Sequence, residues 1–183
     1  TAQHFLNLYT IFDIDPLSGQ EVVRNAYEAT KSKLPKYSIK KNHVLFLGSD
    51  FDKLFKNPYE YINIMKAIVT ALKGKKVIYV PHRLESKEKL DKLKNEVPSM
   101  EFKKSEFLIE FYGLYESEIP ETIASFYSTA LITMKEIYKN LDFVSYKFDL
   151  DVIKSFKNQS IQTSKDINNI YEFLSTRLTV KSI

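Results

Sequence analysis

From His43 onward the chain alternates short apolar runs with amphipathic segments of helix length, and that alternation restricts it to a narrow set of folds. Residues 44–48 (Val-Leu-Phe-Leu-Gly) read as a buried strand ending in glycine, with the turn residues Ser49 and Asp50 behind it. A helix comes next. Asn57 caps it, Pro58 fits its first position, Glu60 completes a capping-box-like pair, and Gly74 stops it after apolar Ile62, Met65, Ile68, Val69 and Leu72. Residues 77–81 (Val-Ile-Tyr-Val-Pro) are a second buried strand, and Ser86 caps an amphipathic helix over 87–96. A third short strand covers 100–103, and Ser105 caps a helix over 106–113. Residues 122–127 form a strand that turns at Ser128 and Thr129 into a helix over 130–138, and 142–148 alternate as a last strand. Elements of these types and lengths predict an α/β fold, a doubly wound parallel sheet flanked by helices. In that architecture ligands bind outside the carboxyl ends of the strands.

Residues 1–34 read as a leader or linker segment that packs on this domain, with a strand over 9–14 and helical spacing over 19–33. The boundary falls near Pro35, so that 35–183 make up the α/β unit. A length of 183 residues with 44% hydrophobic side chains is enough to bury a core. No apolar run approaches the roughly 20 residues of a membrane span, and the first residues lack a signal-peptide pattern, which predicts a cytoplasmic protein. Zero cysteines exclude a disulfide framework, and His4, His43 and His82 are too widely spaced to suggest zinc. The net charge of +4 comes from lysines spread along the chain; the plain reading is a solvated surface. A basic face would also suit an anionic nucleotide sugar or an anionic membrane, whereas no nucleic-acid motif accompanies the charge. There is no GxGxxG, Walker loop or GxSxG elbow, and four glycines leave little scope for a glycine-rich phosphate cradle.

Three of the expected strand ends carry polar residues where a ligand would lie: Gly48 and Ser49, His82 and Arg83, and Ser128 and Thr129. Ser128 and Thr129 stand where a strand hands over to a helix, so one of them serves as an N-cap or the pair meets a phosphate together with free backbone N–H groups. Pro81 stiffens the backbone ahead of His82 and aims the imidazole toward the crevice. Arg83 has two partners open to it, a phosphate or Glu85. Glu110 interrupts the apolar run 107–112, where a carboxylate either faces solvent or awaits a hydrogen-bonding ligand such as a ribose diol. The carboxylates Glu116, Glu118 and Glu121 surround Pro120 and read as a solvated loop.

The segments 77–85 (Val-Ile-Tyr-Val-Pro-His-Arg-Leu-Glu) and 123–131 (Ile-Ala-Ser-Phe-Tyr-Ser-Thr-Ala-Leu) resemble, in order and separation, the two CMP-binding motifs of bacterial sialyltransferases. The likeness is greatest to the lipooligosaccharide sialyltransferases of glycosyltransferase family 52, and it covers about residues 43–147. It implies one Rossmann-like half of a GT-B enzyme, the carboxyl-terminal CMP-binding domain. By the resemblance His82 contacts the CMP phosphate and is the catalytic residue, Ser128 and Thr129 bind the same phosphate, and Glu110 holds the ribose. Gly48 and Ser49 form the first nucleotide-facing loop, with Arg83 beside His82 in the place of the family's proline, and Thr129 replaces a second serine. The implied reaction is an inverting, metal-independent transfer from CMP-sialic acid to a galactose-containing surface glycan, lipooligosaccharide or capsule, without a cofactor. The partners are then a nucleotide-sugar donor and a glycan acceptor. Peripheral attachment to an anionic inner membrane and a homodimer stay open, and nucleic acid is disfavoured. The family's acidic-Gly motif, which supplies the base from an acceptor domain, has no counterpart in these residues, so the chain is expected to be incomplete as an enzyme. Two other readings stand beside this one: a non-catalytic nucleotide-binding domain, and a GT-B transferase using another nucleotide sugar.

Overall fold

The computed structural model describes residues 6–50, 54–55, 57, 59–153 and 160–183. In chain order the strands are β1 (Leu6–Thr10), β2 (Gln20–Arg24), β3 (Ser38–Leu47), β4 (Lys76–Val80), β5 (Glu101–Phe102), β6 (Glu118–Ser125), β7 (Asp142–Lys147) and β8 (Thr179–Ser182). The α-helices are α1 (Glu28–Lys31), α2 (Glu60–Ala71), α3 (Lys87–Glu96), α4 (Tyr112–Tyr115), α5 (Thr129–Ile137) and α6 (Ser160–Ser175). Six strands form one sheet in the order β5-β4-β3-β6-β7-β8, and every neighbouring pair is parallel. Numbered within the sheet, that is the 3-2-1-4-5-6 order of the Rossmann fold.

The central strands bury both faces, so they are apolar without alternation: Val44, Leu45, Phe46 and Leu47 on β3 and Val77, Ile78, Tyr79 and Val80 on β4 are all buried. Right-handed crossovers send α2 and α3 to one face and α5 and α6 to the other. Accordingly α2 packs on α3, and Lys135 of α5 donates to the carbonyl of Arg177, just past α6. Aromatic rings fill the layer near the carboxyl edge. Phe126 meets Phe46, Tyr61 and Phe148 edge-on at centroid distances of 5.4, 5.7 and 5.5 Å.

The helix expected over 87–96 forms over those residues, capped by the Ser86 hydroxyl, which accepts from Lys89 N–H. Gly74 closes the turn after α2 at φ 89, a conformation that favours glycine. Asn57 acts differently from expected. Its Oδ1 accepts from Tyr59 N–H, and the helix begins only at Glu60; Pro58 lies outside the described residues.

Two expected helices do not form as read. Over 19–33 the paired β-branched Val22 and Val23 sit in β2 opposite Leu8 and Tyr9 of β1, and left-handed Tyr27 (φ 56) breaks the chain before the single turn of α1. The strand expected over 9–14 is β1, shifted toward the amino terminus. This segment rests on the core through Ile11, Phe12, Tyr27 and Leu34. Over 106–113, Ser105 donates its hydroxyl to the carbonyl of Phe107 instead of capping a helix; a 3-10 turn (Ile109–Phe111) and α4 follow. Beyond residue 148 the sequence reading set no elements, yet Ile167, Tyr171, Leu174 and Leu178 have helical spacing and are buried, and they seat α6 and the turn into β8.

Candidate functional site

In a 3-2-1-4-5-6 sheet the chain leaves the central strand in opposite directions at the boundary between its first and fourth strands, and the crevice opens there at the carboxyl edge. Here those strands are β3 and β6, with β4 on the other side of β3. The loops that leave this edge carry Gly48 and Ser49, His82 and Arg83, and Ser128 and Thr129. Leu47 pairs with Val80, so Ser49 and His82 each stand two residues beyond the last paired position of adjacent strands. Ser128 stands three residues beyond β6, on the other side of β3. Two strand spacings, about 10 Å, therefore separate the backbones of the β4 and β6 ends, a span that one phosphate with its sugar bridges.

The edge is tied off by buried serine hydroxyls. Ser125 Oγ donates to the Leu47 carbonyl at 2.8 Å and Ser145 Oγ to the Phe126 carbonyl at 2.7 Å, satisfying groups that strand pairing leaves open. Above this floor the candidate residues reach solvent: His82, Arg83 and Thr129 are exposed and Ser128 is half-buried. Ser128 is the N-cap of α5, its Oγ accepting from Ala130 N–H at 3.3 Å, and the Thr129 N–H makes no bond among the described residues. Capping and ligand binding are therefore compatible, since the hydroxyl proton stays available to an anion while its oxygen accepts from the backbone.

His82 is held at several points. Its Nδ1 accepts from Leu84 N–H at 3.3 Å, which places the proton of the neutral ring on Nε2, and its carbonyl accepts from Glu85 N–H at 3.0 Å. An Nε2–H suits a hydrogen-bond donor to an anion better than a base.

The group that organises this edge, Glu85 with Lys89, carries no motif in the sequence. The side chain of Glu85 has no exposed surface, and that of Lys89 is nearly as buried. Glu85 Oε1 accepts from Tyr79 Oη at 2.6 Å and pairs with Lys89 Nζ at 2.8 Å, while Oε2 accepts from His82 N–H at 2.6 Å. Lys89 Nζ also donates to the Ser49 carbonyl at 2.6 Å and lies 3.5 Å from the centre of the Tyr61 ring. Because Tyr79 donates to Glu85, the Tyr61 hydroxyl donates to Tyr79 across 2.6 Å. Burial, reinforced by Tyr61 and the Glu85 carboxylate, pushes the Tyr79 hydroxyl far above its ordinary pKa. Glu85 is thus turned away from Arg83, which makes no ion pair among the described residues. The signal was present in the spacing: Lys89, Leu93 and Val97 recur every four residues on one buried stripe.

Gly48 also answers to this cluster. A Cβ there would overlap Glu85 Oε2 and stand 2.6 Å from Tyr79 Oη, so the missing side chain makes room for the carboxylate. Glu110 stands apart from the other candidates. Its carbonyl accepts from Tyr138 Oη at 3.0 Å, and Tyr138 is the C-cap of α5, about 15 Å along the helix from Ser128. Its carboxylate makes no hydrogen bond or ion pair among the described residues. Beside the β4 end, a cavity of about 240 Å³ opens between Val80, Lys103, Ser105, Phe107, Tyr112 and Tyr115, with Phe107 stacked on Tyr115 at 3.6 Å. Among the described residues no group of three histidine, cysteine or acidic side chains could hold a metal, and no helix is long and apolar enough to cross a membrane.

No curated protein matches the chain in sequence. The family model for alpha-2,8-polysialyltransferases matches residues 7–147, which take in β1 through β7 and all three loops of the crevice. The matching family is therefore a sialyltransferase family other than the lipooligosaccharide type that the two motifs suggested, and the chain belongs to the alpha-2,8-polysialyltransferase family.

Proposed function

We propose that the chain binds CMP-sialic acid at the carboxyl edge of β3, β4 and β6 and stabilises CMP as the leaving group of sialyl transfer. The observation that supports this reading is that the loops carrying His82, Ser128 and Thr129 leave the same carboxyl edge on either side of β3, at the switch point of a Rossmann-order sheet and within the span matched by a sialyltransferase family. The phosphate lies over the amino end of α5, taking hydrogen bonds from the Ser128 hydroxyl, the Thr129 hydroxyl and N–H, and His82 Nε2–H. Gly48 and Ser49 border it from β3, and exposed Arg83 supplies positive charge. The nucleoside extends toward the cavity beyond Val80, and Glu110, set apart at the far end of α5, takes no part in this arrangement.

In the reaction the bond between the sialic acid anomeric carbon and the phosphate oxygen breaks as an acceptor hydroxyl oxygen bonds to that carbon from the opposite face. The electron pair leaves with CMP. The charge gathered on the phosphate is what His82, the two hydroxyls and the helix terminus stabilise, without a metal, and donors of this kind are worth about 3–4 kcal/mol each when removed. The acceptor proton passes to a general base that the same reading assigns to an acceptor-binding domain. The two motifs alone favour a galactose hydroxyl as acceptor. The family match favours the 8-hydroxyl of a terminal sialic acid, and we adopt the latter.

Calorimetric titration of the chain with CMP, UMP and ADP tests the binding step. Saturable CMP binding that is at least tenfold tighter than UMP or ADP, and weakened in His82→Ala, is expected. Equal affinity for all three, or a His82→Ala variant indistinguishable from wild type, overturns the reading.

A further inference from the structure

A carboxylate without solvent contact, three residues from an exposed histidine, demands an explanation. A buried ion pair adds little net stability over apolar side chains of the same size, so its selective value lies in the geometry that it imposes. Glu85 imposes that geometry on both backbone groups of His82, because its carboxylate accepts from the His82 N–H and its own N–H donates to the His82 carbonyl. Lys89 extends the hold to the neighbouring strand end through the Ser49 carbonyl, and Tyr79 and Tyr61 brace the carboxylate from below. Every oxygen of Glu85 is engaged, so the carboxylate has no free direction in which to shift.

We propose that Glu85 is a positioning residue that fixes the His82 backbone, and through Lys89 the Ser49 loop, so that the β3 and β4 ends of the crevice act as one preformed unit. The inference rests on the reading of His82 as a phosphate contact. It assigns Glu85 and Lys89 no contact with the nucleotide.

A double-mutant cycle separates the two claims. CMP is titrated calorimetrically into wild type, His82→Ala, Glu85→Gln and the double variant. In Glu85→Gln one end of the side chain becomes a donor facing either His82 N–H or Lys89, so one of the two holds is lost and the ion pair with it, while size is kept. A loosened contact of this kind costs about ten- to hundredfold. Glu85→Gln is expected to weaken CMP about tenfold, and the double variant to lose clearly less than the product of the two single losses, because only the hold on the Ser49 loop still matters once the imidazole is gone. A merely structural role would give losses that multiply. Multiplying losses, or Glu85→Gln at wild-type affinity, overturn the proposal while leaving His82 as the contact. His82→Ala at wild-type affinity instead removes the functional reading underneath. Should Glu85→Gln not fold, amide hydrogen exchange on the wild-type chain decides. The His82 amide, in an exposed residue, is expected to exchange at least about a hundredfold more slowly than an open loop amide; exchange at the open rate contradicts the proposal.

Discussion

Gly48→Ala is the sharpest test of the buried cluster, because two explanations of the glycine predict different outcomes. If Gly48 lacks a side chain only to let a nucleotide approach, alanine should weaken binding and leave the fold untouched. In the structure the space is already occupied from within. The new Cβ would overlap Glu85 Oε2 and stand 2.6 Å from Tyr79 Oη and 2.8 Å from Tyr79 Cζ. Both are ends of side chains, and such ends usually give way cheaply. These cannot: Glu85 Oε2 is bonded to His82 N–H, and Tyr79 Oη lies between Glu85 and Tyr61. Relief therefore requires either a backbone shift of the β3 end or rupture of the carboxylate's bonds. Overpacking a filled interior costs about 1–3 kcal/mol, and breaking a buried ion pair about 3–5 kcal/mol. Relaxation takes the cheaper route, so about 1–3 kcal/mol is expected. For a chain of this length that lowers Tm by roughly 2–12 °C. Thermal unfolding followed by circular dichroism measures it. A Gly48→Ala protein melting within about 2 °C of wild type would refute the account of the cluster.

Other substitutions test the site's surroundings. Ser86→Ala removes the hydroxyl that accepts from Lys89 N–H and is expected to cost about 1 kcal/mol, lowering Tm by about 2–4 °C without changing CMP affinity. Ser128→Ala loses its cap bond to Ala130 N–H at a similar cost in stability, and a phosphate bond besides, so CMP affinity is expected to fall about tenfold. Alkaline pH probes burial of the tyrosines. Burial pushes the hydroxyls of Tyr127 and Tyr138 up to about 12, above the value of 10.0 ordinary for tyrosine. With the folded pKa above the unfolded one, the unfolded chain gives up its protons first; this contribution is complete below pH 10 and declines as pH rises toward 12. Denaturant midpoints should therefore fall over that window, and flat midpoints through it would contradict the burial.

The central sheet was legible because strands buried on both faces announce themselves as apolar runs; β3, β4, β6 and β7 lie where those runs stand. The helix over 87–96 was legible because local chemistry decides its start, a serine cap. Residues 19–33 were not, because Val22 and Val23 fit a helix face and a strand equally well until β1 supplies a partner. The placement of the crevice loops followed from strand ends alone, whereas Glu85 and Lys89 did not. In sequence they lie in a run of charges, Glu85-Ser-Lys-Glu-Lys89, that resembles a solvated helix start. Only tertiary structure shows that one carboxylate of that run turns inward, where Tyr79, Lys89 and the His82 backbone saturate it. Its partners lie within six residues, and the stripe of Lys89, Leu93 and Val97 hints at the buried lysine, but a carboxylate beside a lysine four residues on looks the same in sequence whether the pair is solvated or buried.

Mapping CMP onto the chain by amide chemical shifts tests the central claim most directly, because it locates the ligand without any variant. The account predicts that titration moves the amides of Gly48, Ser49, His82, Arg83, Thr129 and Ala130 most, with smaller changes over 103–108 beside the cavity. Shifts confined to the β1–β2 segment or to α6 and β8, with the His82 and Thr129 amides unmoved at saturating CMP, would contradict it.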